Sequence, residues 1–163
     1  CVAQRAEVEG TEPDLGREPI HGGACVRVVR ADEHVGRHSA DHGIEGDAHA
    51  GQWHRQVSLL ADEAIETMRA QGLALTYGNF GENIVTQGIE LRELGVGTML
   101  KLGSTVTGEI TQIGKVCHDR CAIYFQTGDC IMPREGLFIR ILTGGTVSVG
   151  DEIEVLHKVP RTA

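Results

Sequence analysis

Glycine, more than any other feature, limits what this chain can become. It occupies 22 of 163 positions, about 13% against a usual ~7%, and is scattered rather than gathered into a low-complexity run. A glycine inside a helix costs roughly 1 kcal/mol relative to alanine. In a tight turn it costs little, because it accepts backbone angles closed to other residues. The distribution therefore predicts many short strands joined by turns, with few helices: a mainly β, α+β chain. Apolar residues at 40% suffice for a core, since chains of this size bury roughly 70% of their unfolded surface.

Hydrophobic patterning refines this. Residues 24–29 are a Val-rich strand candidate, and residues 56–60 read as a strand or a helix entry. From Asp62 to about Gln71, Ala64, Ile65 and Met68 recur at helical spacing, with Asp62 and Glu63 at the start and Gly72 at the stop. Residues 84–86, 98–101, 104–113 and 152–156 are further strands, the last two alternating apolar and polar residues. Glycine-bearing loops are expected at residues 43–51 and 78–83. No repeat or linker interrupts the chain. The expected organisation is an irregular N-terminal arm over residues 1–24 and a single small β-barrel over residues 25–163.

Charge and composition exclude several classes. A net charge of -8 repels phosphate backbones, so no nucleic-acid partner is expected. No apolar run approaches the ~20 residues that cross a bilayer, and the opening residues show no signal-peptide pattern, so no membrane partner is expected either. Five cysteines, an odd number, suit a reducing cytoplasm better than a disulfide frame.

Chemistry concentrates at residues 113–123. Cys117 is surrounded by Lys115, His118 and Arg120, and positive charge nearby favours thiolate, the form that attacks electrophiles and binds metals. Cys121 lies four residues on, so one helical turn would set both sulfurs on one face. Burial as structural thiols is the competing reading, and it is preferred for Cys25 within its strand. A zinc site on Cys117, Cys121 and Cys130 with a histidine is a third reading, although the spacing lacks the two close pairs of a finger or ribbon. The series His34, His38, His42 reads as a solvated polar stretch. His49 and His54, amid glycine-rich backbone, are better site candidates, with local backbone hydrogen bonding as the alternative. Arg134, with Lys115, Arg120 and Arg140, either forms a positive pocket for a small anion or makes an ordinary salt bridge to Glu135 or Asp129.

Taken in order, Gly43-Ile44-Glu45-Gly46-Asp47-Ala48-His49-Ala50-Gly51, Gly81-Glu82-Asn83-Ile84, the stretch from Gln112 to Cys117 and Gly150-Asp151 resemble the MOSC domain. That domain is named for the C-terminal part of molybdenum-cofactor sulfurase. The run from Cys117-His118 through Cys121 to Cys130-Ile131-Met132-Pro133-Arg134-Glu135-Gly136 is similar to the compact, stand-alone bacterial branch. The resemblance implies a MOSC-type β-barrel and a role in binding, sulfurating or delivering the molybdenum cofactor, molybdopterin. It places the family's characteristic cysteine on Cys117, as molybdenum ligand or sulfur carrier, with Cys121 as second ligand or resolving thiol. Asp47, His49, Glu82, Asn83, Lys115, His118, Arg120 and Arg134 are then expected around the cofactor, a small anionic pterin. Partners would be molybdopterin-biosynthesis or sulfur-donor proteins. Related members reduce N-hydroxylated compounds, which makes a small molybdoenzyme the alternative, and a non-enzymatic zinc module a second one. The pyridoxal-phosphate domain of the sulfurases has no counterpart here, so that cofactor is not expected.

Overall fold

The computed structural model describes residues 27–31, 37–115 and 122–162. In chain order the strands are β1 (Arg27–Ala31), β2 (Arg37–Ser39), β3 (Gly43–Ile44), β4 (Val57–Ala61), β5 (Ile84–Gln87), β6 (Met99–Leu102), β7 (Val106–Ile113), β8 (Leu137–Thr143), β9 (Gly145–Thr146) and β10 (Ile153–His157). The helices are α1 (Asp62–Arg69), α2 (Ala122–Thr127) and α3 (Met132–Glu135), with a 3-10 turn at Leu91–Glu93.

Seven strands form one sheet in the order β1-β5-β4-β8-β7-β6-β10. Every neighbouring pair is antiparallel except β4 and β5. A parallel pair needs a crossover, and α1 with the loop after it supplies one. The sheet curls until its ends nearly meet. Val28 N–H donates to the Asp151 carbonyl at 2.9 Å and Gly150 N–H to the Val28 carbonyl at 2.8 Å, joining β1 to the turn before β10. A small second sheet, β3-β2-β9, packs beside it.

The period-2 geometry of the central strands divides the core in two. Val57 and Leu59 of β4, Ile84 of β5 and Leu137, Ile139 and Ile141 of β8 point inward and join Leu100, Leu102, Val106 and Ile110. Their alternate neighbours Leu60, Val85 and Phe138 point outward, where Ile65 and Met68 of α1, Ile123 of α2 and Ile131 and Met132 cover them. Burial on both faces explains why β4 is apolar except at Ser58 and does not alternate. Helix α1 starts with two carboxylates and ends on Arg69, as the helix dipole favours, and it buries Ala64, Ile65 and Met68.

The mainly β architecture with few helices agrees with the sequence expectation, and β4 through β7, α1 and β10 lie close to their predicted positions. Helix α1 ends at Arg69 rather than near Gln71. Strand β8, the short α3 and the small second sheet were not anticipated. The strand candidate at 24–29 overlaps β1 by three residues; Cys25 and the arm at 1–24 lie outside the described residues. The reading of the histidine series as solvated fails at His38, which is 1% exposed in the middle of β2. His38 pairs with Ile44 on one side and Gly145 on the other, so strand pairing carries it under the second sheet. His42 is exposed, and His34 lies outside the described residues.

Candidate functional site

The loops at 43–56 and 78–83 are held by side chains that return to backbone. Gln56 is fully buried; its Nε2 donates to the Gly51 carbonyl at 2.8 Å while its Oε1 accepts from Ile141 N–H at 2.8 Å. This ties the first loop to β8. Gly43 has φ +94, and a Cβ there would stand 2.9 Å from Gln56 Cβ, so the loop can enter only with glycine at that point. Glu82 is buried and caps its own loop, accepting from Gly78 N–H and, at 3.0 Å, from Phe80 N–H.

Asn83 joins the two loops. Its Oδ1 accepts from both Ser58 N–H and Ser58 Oγ at 2.9 Å, its own N–H donates to Ser58 Oγ at 2.9 Å, and its Nδ2 donates to Asp47 Oδ2 at 3.0 Å. The other Asp47 oxygen accepts from His49 N–H at 2.6 Å and lies 3.2 Å from His49 Nδ1. Asp47, His49 and Asn83 are thus joined by hydrogen bonds, with Asp47 and Asn83 as the joint between loops, while Glu82 caps the second loop beside them. Asn83→Ala should lower stability by roughly 2–3 kcal/mol, because Ser58 N–H would be left unpaired in a buried position. A urea titration checks this; an unchanged midpoint would show that the joint carries no such weight.

Where these loops meet β8 lies a cavity of about 90 Å³. Ser58, Gly81, Asn83 and Phe80 line one side; Met132 and Phe138 supply the apolar floor; His49, Arg55 and Lys115 bring the polar and cationic groups. Arg55 was not singled out from the sequence. Its guanidinium carbon lies 4.7 Å from the centroid of Trp53 and 6.0 Å from that of Phe138, within cation–π range. Trp53 also stacks on His49, with ring centroids 6.3 Å apart and planes 6° apart, and donates from Nε1 to the His49 carbonyl at 2.5 Å. The signal available in the sequence was the run Trp53-His54-Arg55 beside a glycine-rich loop. Missing from it was any sign that Arg55 has no carboxylate partner among the described residues.

The remaining predicted residues fall into two groups. Arg134 makes a two-pronged pair with Asp129, at 2.5 and 2.8 Å, which holds the aspartate carboxyl below its usual range. Of the two readings for Arg134, the salt bridge is the one present, and its side chain does not line the cavity. Arg140 likewise pairs with Glu109 at 3.1 Å across the sheet. His54 bonds Gln112 Oε1 at 2.9 Å. Cys130 is half-buried against the outer core. Cys117, His118, Arg120 and Cys121 lie outside the described residues; Lys115 closes the described stretch before them. Among the described residues, no group of three or more His, Cys, Asp or Glu side chains converges as a metal site, and no helix is long and apolar enough to cross a membrane.

A larger cleft of about 450 Å³ lies beside α1, between it and residues 88–93. Three of its carboxylates have partners: Glu63 accepts from Gly88 N–H, Glu93 pairs with Lys158 and Glu135 with Arg92. None of the described residues predicted for the site lines it.

Comparison with known proteins agrees with the fold and with the motifs. YiiM from Escherichia coli superposes with a TM-score of 0.55 at 19% identity, covering 82% of this chain and 69% of its own. The YuaD protein from Bacillus subtilis superposes at 0.57, also at 19% identity, covering 83% of this chain and 94% of its own. For YiiM from Geobacillus stearothermophilus the match spans about half of that protein, 54%, at 18% identity and a TM-score of 0.50. No curated protein sequence matches. The sequence profile of the MOSC domain matches residues 45–154, a stretch that takes in the site loops from residue 45 on, the cavity-lining residues and the cysteine segment. This chain therefore belongs to the MOSC domain family, which is associated with binding of the molybdenum cofactor and with sulfurase-like roles.

Proposed function

We propose that this protein is a molybdenum-cofactor accessory protein, binding molybdopterin beside the loops at 43–56 and 78–83 and handling its sulfuration or delivery through Cys117. The observation that carries this reading is the cavity. On a chain of net charge -8, it is edged by Arg55 and Lys115, neither of which has a carboxylate partner among the described residues. Lys115 precedes Cys117 by two positions, and two residues of chain span at most about 7 Å. Cationic side chains so close along the chain favour the thiolate form of a cysteine. Thiolate is a soft donor, suited to molybdenum and to sulfur transfer where an oxygen ligand is not.

The described residues fit one part of such a cofactor. A cavity of 90 Å³ falls far short of the ~300–1,000 Å³ of sites that engulf a whole ligand, so the pterin ring would lie along the loops outside it. His49 and Asn83 present polar groups at the rim, with Asp47 fixing both. When bound, the cofactor supplies the metal and dithiolene chemistry; the chain supplies the cations, the loop framework and the thiol. Cys121 would serve as a resolving thiol or second ligand, and a sulfur-donor or molybdopterin-biosynthesis protein would be the partner. Replacing Cys117 with alanine should abolish persulfide labelling and reduce retained pterin at least tenfold. Labelling and retention equal to the parent protein would remove Cys117 from the account.

A further inference from the structure

Helix α3 is a single turn of four residues, too short to hold its own conformation, and it stands between the two cavities. Met132, its first residue, lines the small cavity beside the site loops; Glu135, its last, lines the large cleft beside α1. Its backbone grips the end of β7. Gly114 N–H donates to the Gly136 carbonyl at 2.7 Å, and the Pro133 carbonyl closes over Gly114 so tightly that a Cβ there would stand 2.0 Å from its oxygen. Lys115, which lines the small cavity, is the next residue. A rotation of α3 therefore moves both Met132 and the backbone that carries Lys115.

On its far side α3 is fixed by an ion pair. Glu135 Oε1 accepts from Arg92 Nη2 at 2.6 Å. The partners are unequal: the Glu135 side chain is 11% exposed and that of Arg92 62%. A carboxylate so far from water needs a compensating charge, and Arg92 is its one ion-pair partner among the described residues. The neighbouring pair, Arg134 with Asp129, is open to solvent on both sides, so water screens it and it holds α3 weakly. Arg92 reaches Glu135 from a firm support. The 3-10 turn that carries it buries Leu91 in the inner core and is tied to the C-terminal residues, with Glu93 paired to Lys158 and the Glu93 carbonyl accepting from Arg161 N–H at 3.0 Å. Without the charge at position 92, the route back to water for Glu135 is the cleft it already lines, and that swing turns α3.

We infer that Arg92 is a remote positioning residue for the cofactor site: by keeping the Glu135 carboxylate inside, it fixes α3, and α3 fixes Met132 and the strand end that presents Lys115. The inference rests on the proposed function only for the ligand whose retention is read.

Arg92→Met removes the charge and keeps most of the side-chain length. Amide exchange at Gly114, followed by NMR in the full-length protein, should accelerate roughly tenfold or more. Exchange at Ile110, bonded to the Thr98 carbonyl at 2.9 Å further back on β7, should stay within about twofold. Retained pterin should fall roughly threefold or more. Arg92→Lys keeps the charge and should match the parent in both readouts. Adding Glu135→Gln to Arg92→Met should restore both, because no unpaired charge is then left inside; a loss caused by missing bulk at position 92 would not be restored. Thermal melts verify folding, and Arg92→Gln takes the place of Arg92→Met should that variant not fold. Unchanged exchange at Gly114, accelerated exchange with pterin retained in full, or no recovery on adding Glu135→Gln overturns the inference. Parent protein without pterin would sink the proposed function instead, and exchange at Gly114 with its recovery would then decide the role of Arg92 alone.

Discussion

Gly114→Ala is expected to lower the melting temperature by on the order of 10 °C and to reduce retained pterin. Gly114 follows the end of β7 and hands the chain to Lys115. Its φ is +72, and a Cβ there would stand 2.0 Å from the Pro133 carbonyl oxygen and 2.8 Å from the carbon. The left-handed conformation costs alanine roughly 1–2 kcal/mol. The contact is with backbone, which cannot rotate aside, and forced overpacking adds roughly 1–3 kcal/mol. For a chain this long each kcal/mol moves the melting temperature by roughly 2–4 °C. Gly114 also donates to the Gly136 carbonyl at 2.7 Å and accepts from Gln112 Nε2 at 2.7 Å, so any shift moves Lys115 away from Arg55. Gly128→Ala is the matched control. Its φ is +74, yet nothing lies within 4 Å of the added carbon, and it should show only the conformational cost. Equal effects from the two substitutions would mean that the approach of Pro133 does not matter.

Acid should destabilise the fold through His38. Burial in β2 lowers its pKa from 6.5 to about 4, and neither ring nitrogen has a hydrogen-bond partner among the described residues. The folded state keeps His38 neutral, whereas the unfolded chain takes up a proton below pH 6.5. Stability is therefore intact above pH 6.5 and is lost as pH falls towards 4, by roughly 3 kcal/mol in all. Replacement with leucine removes both the titration and the unpaired nitrogens. His38→Leu should be at least as stable as the parent at pH 7.5 and should lose less stability between pH 6.5 and 4. The difference between the two proteins isolates His38 from the carboxylates that also titrate there. Parallel loss in both would show that His38 is not the cause.

The fold was legible wherever local pattern and burial agree. β7 alternates because one face is inside; α1 shows its apolar stripe and its charged ends. β8 hides because it is central: Leu137-Phe138-Ile139 are buried on both faces, which erases the alternation that marks a half-buried strand. β2, β3 and β9 are two or three residues long, too short for any period. The loops of the site were legible through their glycines and through the motif order, since a backbone at φ +94 beside Gln56 calls for glycine. Partnering was not legible. Arg134 has Asp129 five positions back and Arg55 has no carboxylate partner among the described residues, yet a one-dimensional string shows both as cations among polar residues. His38 looked like its neighbours because only pairing with Ile44 and Gly145 takes it inside.

The central claim is that the cation-edged cavity and the cysteine that follows it form one cofactor site. Metal and pterin analysis of the full-length protein, purified from a molybdenum-replete host, tests it most directly. The account predicts molybdenum and pterin in equal amounts in the parent protein, both reduced at least tenfold by Arg55→Gln and by Cys117→Ala. Protein carrying zinc in place of molybdenum, or molybdenum and pterin retained undiminished by both variants, would contradict it.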